Sequence, residues 1–220
     1  MNIRTIHILS LLILTFALIG CTAKAPSNVE AVDLGLSVKW ANMNVGATEE
    51  TEMGDYFAWG ETSTKRTYSW NEYVYENSEC GKDNDDMAKL TDIAGTSFDA
   101  ATCNWGGGWH MPNYDQVLEL VSNCTWTWTN MKNSKGDLVY GYVIVSNVDG
   151  YTDKSIFLPA AGYRIENDID LVDDYGSYWS SSIFNQNLKQ AWFITMNSEY
   201  VQADHYNRYY GHTIRAVMDK

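Results

Sequence analysis

Trp109-His110-Met111-Pro112-Asn113-Tyr114-Asp115-Gln116-Val117-Leu118-Glu119-Leu120-Val121 carries the clearest local signal in the chain. Asn113, just after Pro112, is placed to cap a first helical turn, and Gln116, three residues on, can reach back to it as in a capping box. Val117, Leu118, Leu120 and Val121 then supply the expected buried face. A shorter helix is expected over 98–103, from Phe98 to Cys103, ended by Asn104 and glycines 106 to 108. Elsewhere helical spacing does not persist. Apolar stretches are short, aromatic or β-branched and are cut by Gly, Asn or Asp, which reads as strand and loop. The expected strands are 36–41, 56–59, 125–129 with its alternating Thr and Trp, 138–145, 155–158, 191–196 and 213–217. Two helices among many short strands give an α+β domain. The polar run 76–91 has no period and is expected to be loop.

At the N-terminus Arg4 precedes a nearly unbroken apolar run from Ile8 to Ile19, which leads into Gly20-Cys21. The run is too short for a ~30 Å hydrocarbon core, which takes about 20 apolar residues, and no second such run follows. It reads as a lipoprotein signal peptide over 1–20, cut before Cys21, whose thiol carries a diacylglyceryl group. At ~0.8 kcal/mol per buried CH₂, two or three acyl chains would hold the mature chain to a membrane. The expected organisation is signal peptide 1–20, lipidated Cys21 with a short linker over 21–30, and one domain over 31–218.

The whole chain has a formal charge of −13, and residues 1–20 contain one basic residue, Arg4, and no acidic one. The mature chain is thus the more acidic. Its Lys and Arg are scattered singly apart from Lys65-Arg66, so it offers no basic stripe to a polyphosphate. Nucleic acid is excluded as a partner. Beyond Cys21 remain Cys80, Cys103 and Cys124, which allow at most one internal disulfide, while a small buried hydrophobe is the commoner fate of an isolated cysteine.

Several word-like segments run through the chain in order. They include Val32-Asp33-Leu34-Gly35-Leu36, Asn44-Val45-Gly46-Ala47-Thr48, Gly54-Asp55-Tyr56-Phe57-Ala58-Trp59-Gly60-Glu61-Thr62 and Asn104-Trp105-Gly106-Gly107. Further on come Trp109-His110-Met111-Pro112, Phe157-Leu158-Pro159-Ala160-Ala161-Gly162-Tyr163-Arg164, Tyr178-Trp179-Ser180-Ser181 and Ile214-Arg215-Ala216-Val217. Together these resemble the major paralogous domain (FISUMP) family of surface-associated lipoproteins from Bacteroidetes and Fibrobacter. The resemblance implies a C-type-lectin-like fold, akin to formylglycine-generating enzymes, in which first and last strands pair and two helices flank the sheets. His110 and Asn113 stand where the family usually has Arg and Thr; Asn113 keeps the cap, while His110 puts in question the salt bridge an Arg would make. Thr22-Ala23-Lys24-Ala25-Pro26 lacks the acidic cluster that marks surface export in related bacteria. The expected address is the outer membrane, facing the cell surface, with the periplasmic face as the alternative.

The tail from Tyr178 to Val217 also resembles the variable region of retroelement-diversified proteins, which hang changeable residues on a lectin-like frame. Here those positions would be Phe184, Asn185, Asn187, Lys189, Tyr200, Gln202, Asp204, His205 and Tyr206, with ordinary drift in surface loops as the alternative. Tyr200, Tyr206, Tyr209 and Tyr210 are the tail tyrosines placed for exposed contacts, Tyr209 joining the set above as the expected ligand-binding residues.

No nucleophile elbow, zinc-protease helix, phosphate loop or dinucleotide fingerprint occurs, and the cysteines do not reproduce the close pair of formylglycine-generating relatives. No catalytic residue, metal or cofactor is therefore assigned. Asp83, Asp85 and Asp86, and Asp168, Asp170, Asp173 and Asp174, are dense enough to suggest Ca²⁺, yet neither set has EF-hand spacing, and solvated acidic loops are the reading. Trp40, Trp59, Trp105, Trp109, Trp126, Trp128, Trp179 and Trp192 are expected to pack the core. The expected function is a membrane-tethered, non-catalytic surface binding module for an extracellular or envelope protein or glycan. The alternative is a structural subunit of a cell-envelope or adhesive assembly, with an enzyme ranked last.

Overall fold

Residues 24–75 and 90–220 are described by the structure, a computed structural model. Cys21, Cys80, Asp83, Asp85, Asp86 and nearly all of the expected loop 76–91 lie outside them.

Near its start the chain forms β1 (Ala31–Val32) and β2 (Val38–Ala41), and it ends in β12 (Val217–Asp219). β12 pairs antiparallel with β2, Val217 opposite Trp40 and Asp219 opposite Val38, and on its other side with β3 (Trp109–His110). The sheet order β1-β2-β12-β3 thus ties both ends of the domain together. A second sheet, β4 (Cys124–Lys132), β5 (Leu138–Ser146) and β6 (Ser155–Pro159), is an antiparallel meander. A third, ordered β11-β10-β9, joins β9 (Tyr175–Ile183), β10 (Gln190–Asn197) and β11 (Val201–Asn207). A small hairpin, β7 (Tyr163–Ile165) with β8 (Asp168–Asp170), completes a mostly sheet α+β domain.

Helix α1 (Ala100–Trp105) starts two residues later than Phe98, because the cap is Asp99, and runs through Asn104. One Asp99 oxygen accepts from Thr102 N at 3.0 Å and the other from Gly95 N and Met111 N, both at 2.9 Å, so three backbone donors are satisfied by one buried carboxylate. Helix α2 (Tyr114–Asn123) has the expected capping box: Asn113 Oδ1 accepts from Gln116 N at 2.9 Å while Gln116 Oε1 accepts from Asn113 N at 2.8 Å. Of its expected buried face only Val117 and Leu120 are buried; Val121 is half-buried and Leu118 exposed. Successive helical residues are 100° apart, and α2 presents one narrow stripe to the sheet, so Leu118, next to Val117, falls outside it.

The expected strands 125–129, 138–145, 155–158 and 191–196 lie inside β4, β5, β6 and β10. Two others are corrected. Residues 56–59 make only a bridge, Phe57 to His212, and of 213–217 only Val217 is in a strand. Thr213 instead bonds across to β9: Thr213 Oγ1 donates to Ser177 O at 3.0 Å and Trp179 N to Thr213 O at 3.0 Å.

One apolar cluster gathers Trp59, Trp105, Trp109, Trp179 and Phe193, a second Trp40, Leu120, Ile144, Leu158 and Ile194, and a smaller third Tyr56, Ala58, Tyr68 and Tyr73. Trp126, Trp128 and Trp192 are only half-buried. The interior also holds a cation. Arg215, 1% exposed, donates from Nε to Asn44 Oδ1 at 2.8 Å, from Nη1 to Ala41 O at 3.0 Å and from Nη2 to Phe157 O at 2.8 Å. Its fork joins segments from opposite ends of the chain without any carboxylate, and burial lowers its pKa to about 10. Cys103 is disulfide-bonded, against the expectation of an isolated buried cysteine, and Cys124 is free and buried.

Candidate functional site

The third sheet carries the tail residues, and its alternation decides where each one points. Opposite Trp192 stands His205, opposite Phe193 stands Asp204, opposite Ala191 stands Tyr206, and opposite Thr195 stands Gln202. The expected binding residues therefore divide between two faces. Near the start of β10 the register with β9 shifts between Ala191 and Phe193, and there Ser180 Oγ donates to Trp192 O at 2.9 Å. The serine run absorbs the backbone groups that an interrupted ladder leaves over.

On the face toward α2, Phe184 stacks on His205 with centroids 3.6 Å apart, and Trp192 meets both edge-on. Trp192 also lies 4.2 Å from Tyr114 of α2, and His205 Nδ1 is 2.9 Å from Gln190 Oε1. Phe184 and His205 are thus mutual packing partners, each half-buried. Asn185 is exposed at the edge of a polar recess of about 270 Å³ that Asp92, Asn113, Asp115 and Ser182 also line.

On the opposite face lies a cleft of about 230 Å³, lined by Tyr163, Leu171, Tyr175, Phe193, Tyr206, Tyr210 and His212. Tyr163 comes from β7, Tyr175 from β9, Phe193 from β10 and Tyr206 from β11, so four strands of two sheets build it. At its mouth Leu171 is 50% and Tyr206 43% exposed. Leu171 has φ 58°, a left-handed conformation that costs a non-glycine residue roughly 1–2 kcal/mol. An apolar side chain held there in water is the kind of strain that binding sites store.

His212, 2% exposed, lines the cleft and stacks on Trp179 with centroids 4.0 Å apart. Its Nδ1 is buried without a hydrogen-bond partner, and burial lowers its pKa to about 3, so the ring is neutral at physiological pH. Thr195 Oγ1 donates to the Tyr175 hydroxyl, and burial raises the pKa of Tyr175 to about 12. Burial also raises the pKa of Tyr210, whose ring packs against those of Tyr209 and Tyr206, each with centroids 4.6 Å apart.

Of the other expected residues, Tyr200 is exposed at the β10–β11 turn, where its N donates to Asn197 Oδ1 at 3.1 Å. Asn187 and Lys189 lie on the loop before β10, and Lys189 Nζ sits 5.7 Å over the Trp70 ring. Tyr209, expected to be an exposed contact, is half-buried, packed 5.0 Å from Trp70 and 4.6 Å from Tyr210. The sheet gathers only Tyr206, Asp204 and Gln202 on the cleft face. Tyr163, Leu171, Tyr175, Phe193 and His212 were not expected as binding residues. An alternating strand marks which residues share a face but not which face stays open.

His110 has Nδ1 2.9 Å from Met111 O and Nε2 3.4 Å from the exposed Asp219, a weak edge contact in place of a salt bridge. Asp168 and Asp170 lie on β8, Asp173 Oδ1 accepts from Tyr140 N at 3.2 Å, and Asp174 is exposed. No family model, no curated protein and no solved structure matches the chain.

Proposed function

We propose that this chain is a membrane-tethered, non-catalytic binding module of C-type-lectin-like fold that presents its tyrosine-lined cleft to a protein partner at the cell envelope. The observation that carries the reading is the cleft itself: Tyr206 and strained Leu171 stand exposed at the mouth of an otherwise buried or half-buried aromatic wall. Clefts of this make, apolar and aromatic with few polar groups, are where ligands bind. Val172, 39% exposed, follows Leu171 and adds to the exposed apolar surface, which favours a protein over a glycan. The pairing of β2 with β12 supports the lectin-like assignment and the relation to FISUMP lipoproteins.

The tether proposed at Cys21 would be short. Ala25 N donates to Trp105 O at 3.0 Å and Asn28 Nδ2 to Thr48 O at 2.7 Å, so the chain is fixed to the domain from Ala25 onward. Four residue spans of ~3.5 Å would then separate the lipidated cysteine from the folded body, about 14 Å in all. Retroelement diversification, if it operates, has free positions at Asn185, Asn187, Lys189, Tyr200, Gln202 and Tyr206, which are exposed; Phe184 and His205 pack on each other.

The test is attachment of the full chain and of Tyr206→Ala to cells and to envelope fractions. Tyr206 is exposed, so its loss leaves the core intact, and attachment should fall about tenfold or more, as for an aromatic anchor worth over 1 kcal/mol. Equal attachment by both proteins places the site elsewhere. Shaving intact cells with protease tests the address: a surface protein is lost and a periplasmic one survives.

A further inference from the structure

Ring geometry and charge define what the cleft can hold. Tyr163 and Tyr175 meet at 82° with centroids 6.0 Å apart, Tyr206 and Tyr210 at 82° and 4.6 Å, and Phe193 and Tyr206 at 61° and 6.4 Å. Rings set at steep angles wall a space instead of stacking it shut. A cation within about 6 Å of such rings is drawn to the negative faces of their quadrupoles, by ~0.5–2 kcal/mol per ring according to desolvation. Among the described residues no Lys or Arg lines the cleft, and His212 adds no positive charge. Two carboxylates stand near. Asp170 is the cross-strand partner of Tyr163 in the β7–β8 hairpin, so the two share a face, and the charges of Asp170 and Asp204 help raise the pKa values of Tyr163 and Tyr175. Asp204 lies on the cleft face opposite Phe193, with one oxygen accepting from His205 N at 2.7 Å.

We propose that the cleft takes the basic side chain of a protein partner, an ammonium or guanidinium head seated among Tyr163, Tyr175, Tyr206 and Tyr210 near Asp170 and Asp204, with its methylene stem against Leu171. This rests on the binding-module reading and names the chemistry of its site. It agrees with the net charge of −13, which would draw a basic partner.

The experiment titrates the full chain with capped tripeptides whose central residue is lysine, arginine or norleucine, the last keeping the stem without the charge. Tyrosine fluorescence and NMR of the ring protons report binding. Lysine or arginine should bind about tenfold tighter than norleucine, and added salt should narrow that gap. Asp204→Asn, which keeps the oxygen that accepts from His205 N, should weaken the charged peptides about threefold or more and leave norleucine unchanged. Tyr206→Ala should weaken them about tenfold. Norleucine binding as tightly as lysine, or no saturable binding by either charged peptide, overturns the proposal. Tyr206-dependent attachment to cells without charge selectivity overturns only the cation assignment, whereas failure of the parent chain to attach at all overturns the module itself.

Discussion

Acidification should cost this protein stability through His212. The imidazole is 2% exposed, stacked on Trp179, with its Nδ1 unpartnered, and burial alone takes its pKa from 6.5 to about 3. Between those values the unfolded chain binds a proton that the folded protein refuses. Stability is therefore full above pH 6.5 and declines as pH falls toward 3. Each tenfold change in proton affinity corresponds to about 1.4 kcal/mol, so going from about pH 7.5 to about pH 4.5 costs roughly 2.7 kcal/mol through this one group. At a urea slope of about 2–3 kcal/mol/M that is a midpoint shift of about 1 M. His212→Phe keeps a ring against Trp179 and removes both the titration and the orphaned nitrogen, whose burial unpaired costs about 1–3 kcal/mol. The variant should match or exceed the parent near pH 7.5. Urea unfolding of both proteins at several pH values is the assay, and carboxylate titration, common to both, cancels in the difference. Parallel loss of stability in the two proteins would refute a buried, neutral His212.

Arg215→Met should cost about 3–5 kcal/mol in urea or thermal unfolding, because Asn44 Oδ1, Ala41 O and Phe157 O all lose their donor. Arg215→Lys should recover little, since an ammonium cannot span three acceptors with a planar fork. Asn113→Ala removes the α2 cap and should cost about 1 kcal/mol, read as a fall in Tm without change in fold by circular dichroism. Leu171→Gly should relieve the left-handed strain and hold stability within about 1 kcal/mol of the parent, while weakening whatever docks in the cleft; a clear loss of stability would show that Leu171 is packed and not strained.

Local chemistry in the sequence was enough to place α2 with its capping box, four of the strands and the α+β class. Caps, turn residues and alternation act within a few positions, so they are written in neighbouring residues. β9 and β11 were not legible: Tyr175–Ile183 is mostly buried with a serine run, and Val201–Asn207 is polar, so neither shows clean alternation. Those two strands hold β10 between them and set the faces of the tail, which is why the expected binding residues were read as one set and are in fact two. Phe184 and His205 became a packed pair, while Tyr163 and Tyr175 joined Tyr206 across two sheets. Residue types were available from the sequence alone: an acidic chain rich in tyrosine, with a short apolar run ahead of Cys21. Only the tertiary structure decided which tyrosines face one space, because strand pairing brings Tyr163, Phe193 and His212 together from distant points in the chain, and no local rule reports such distances.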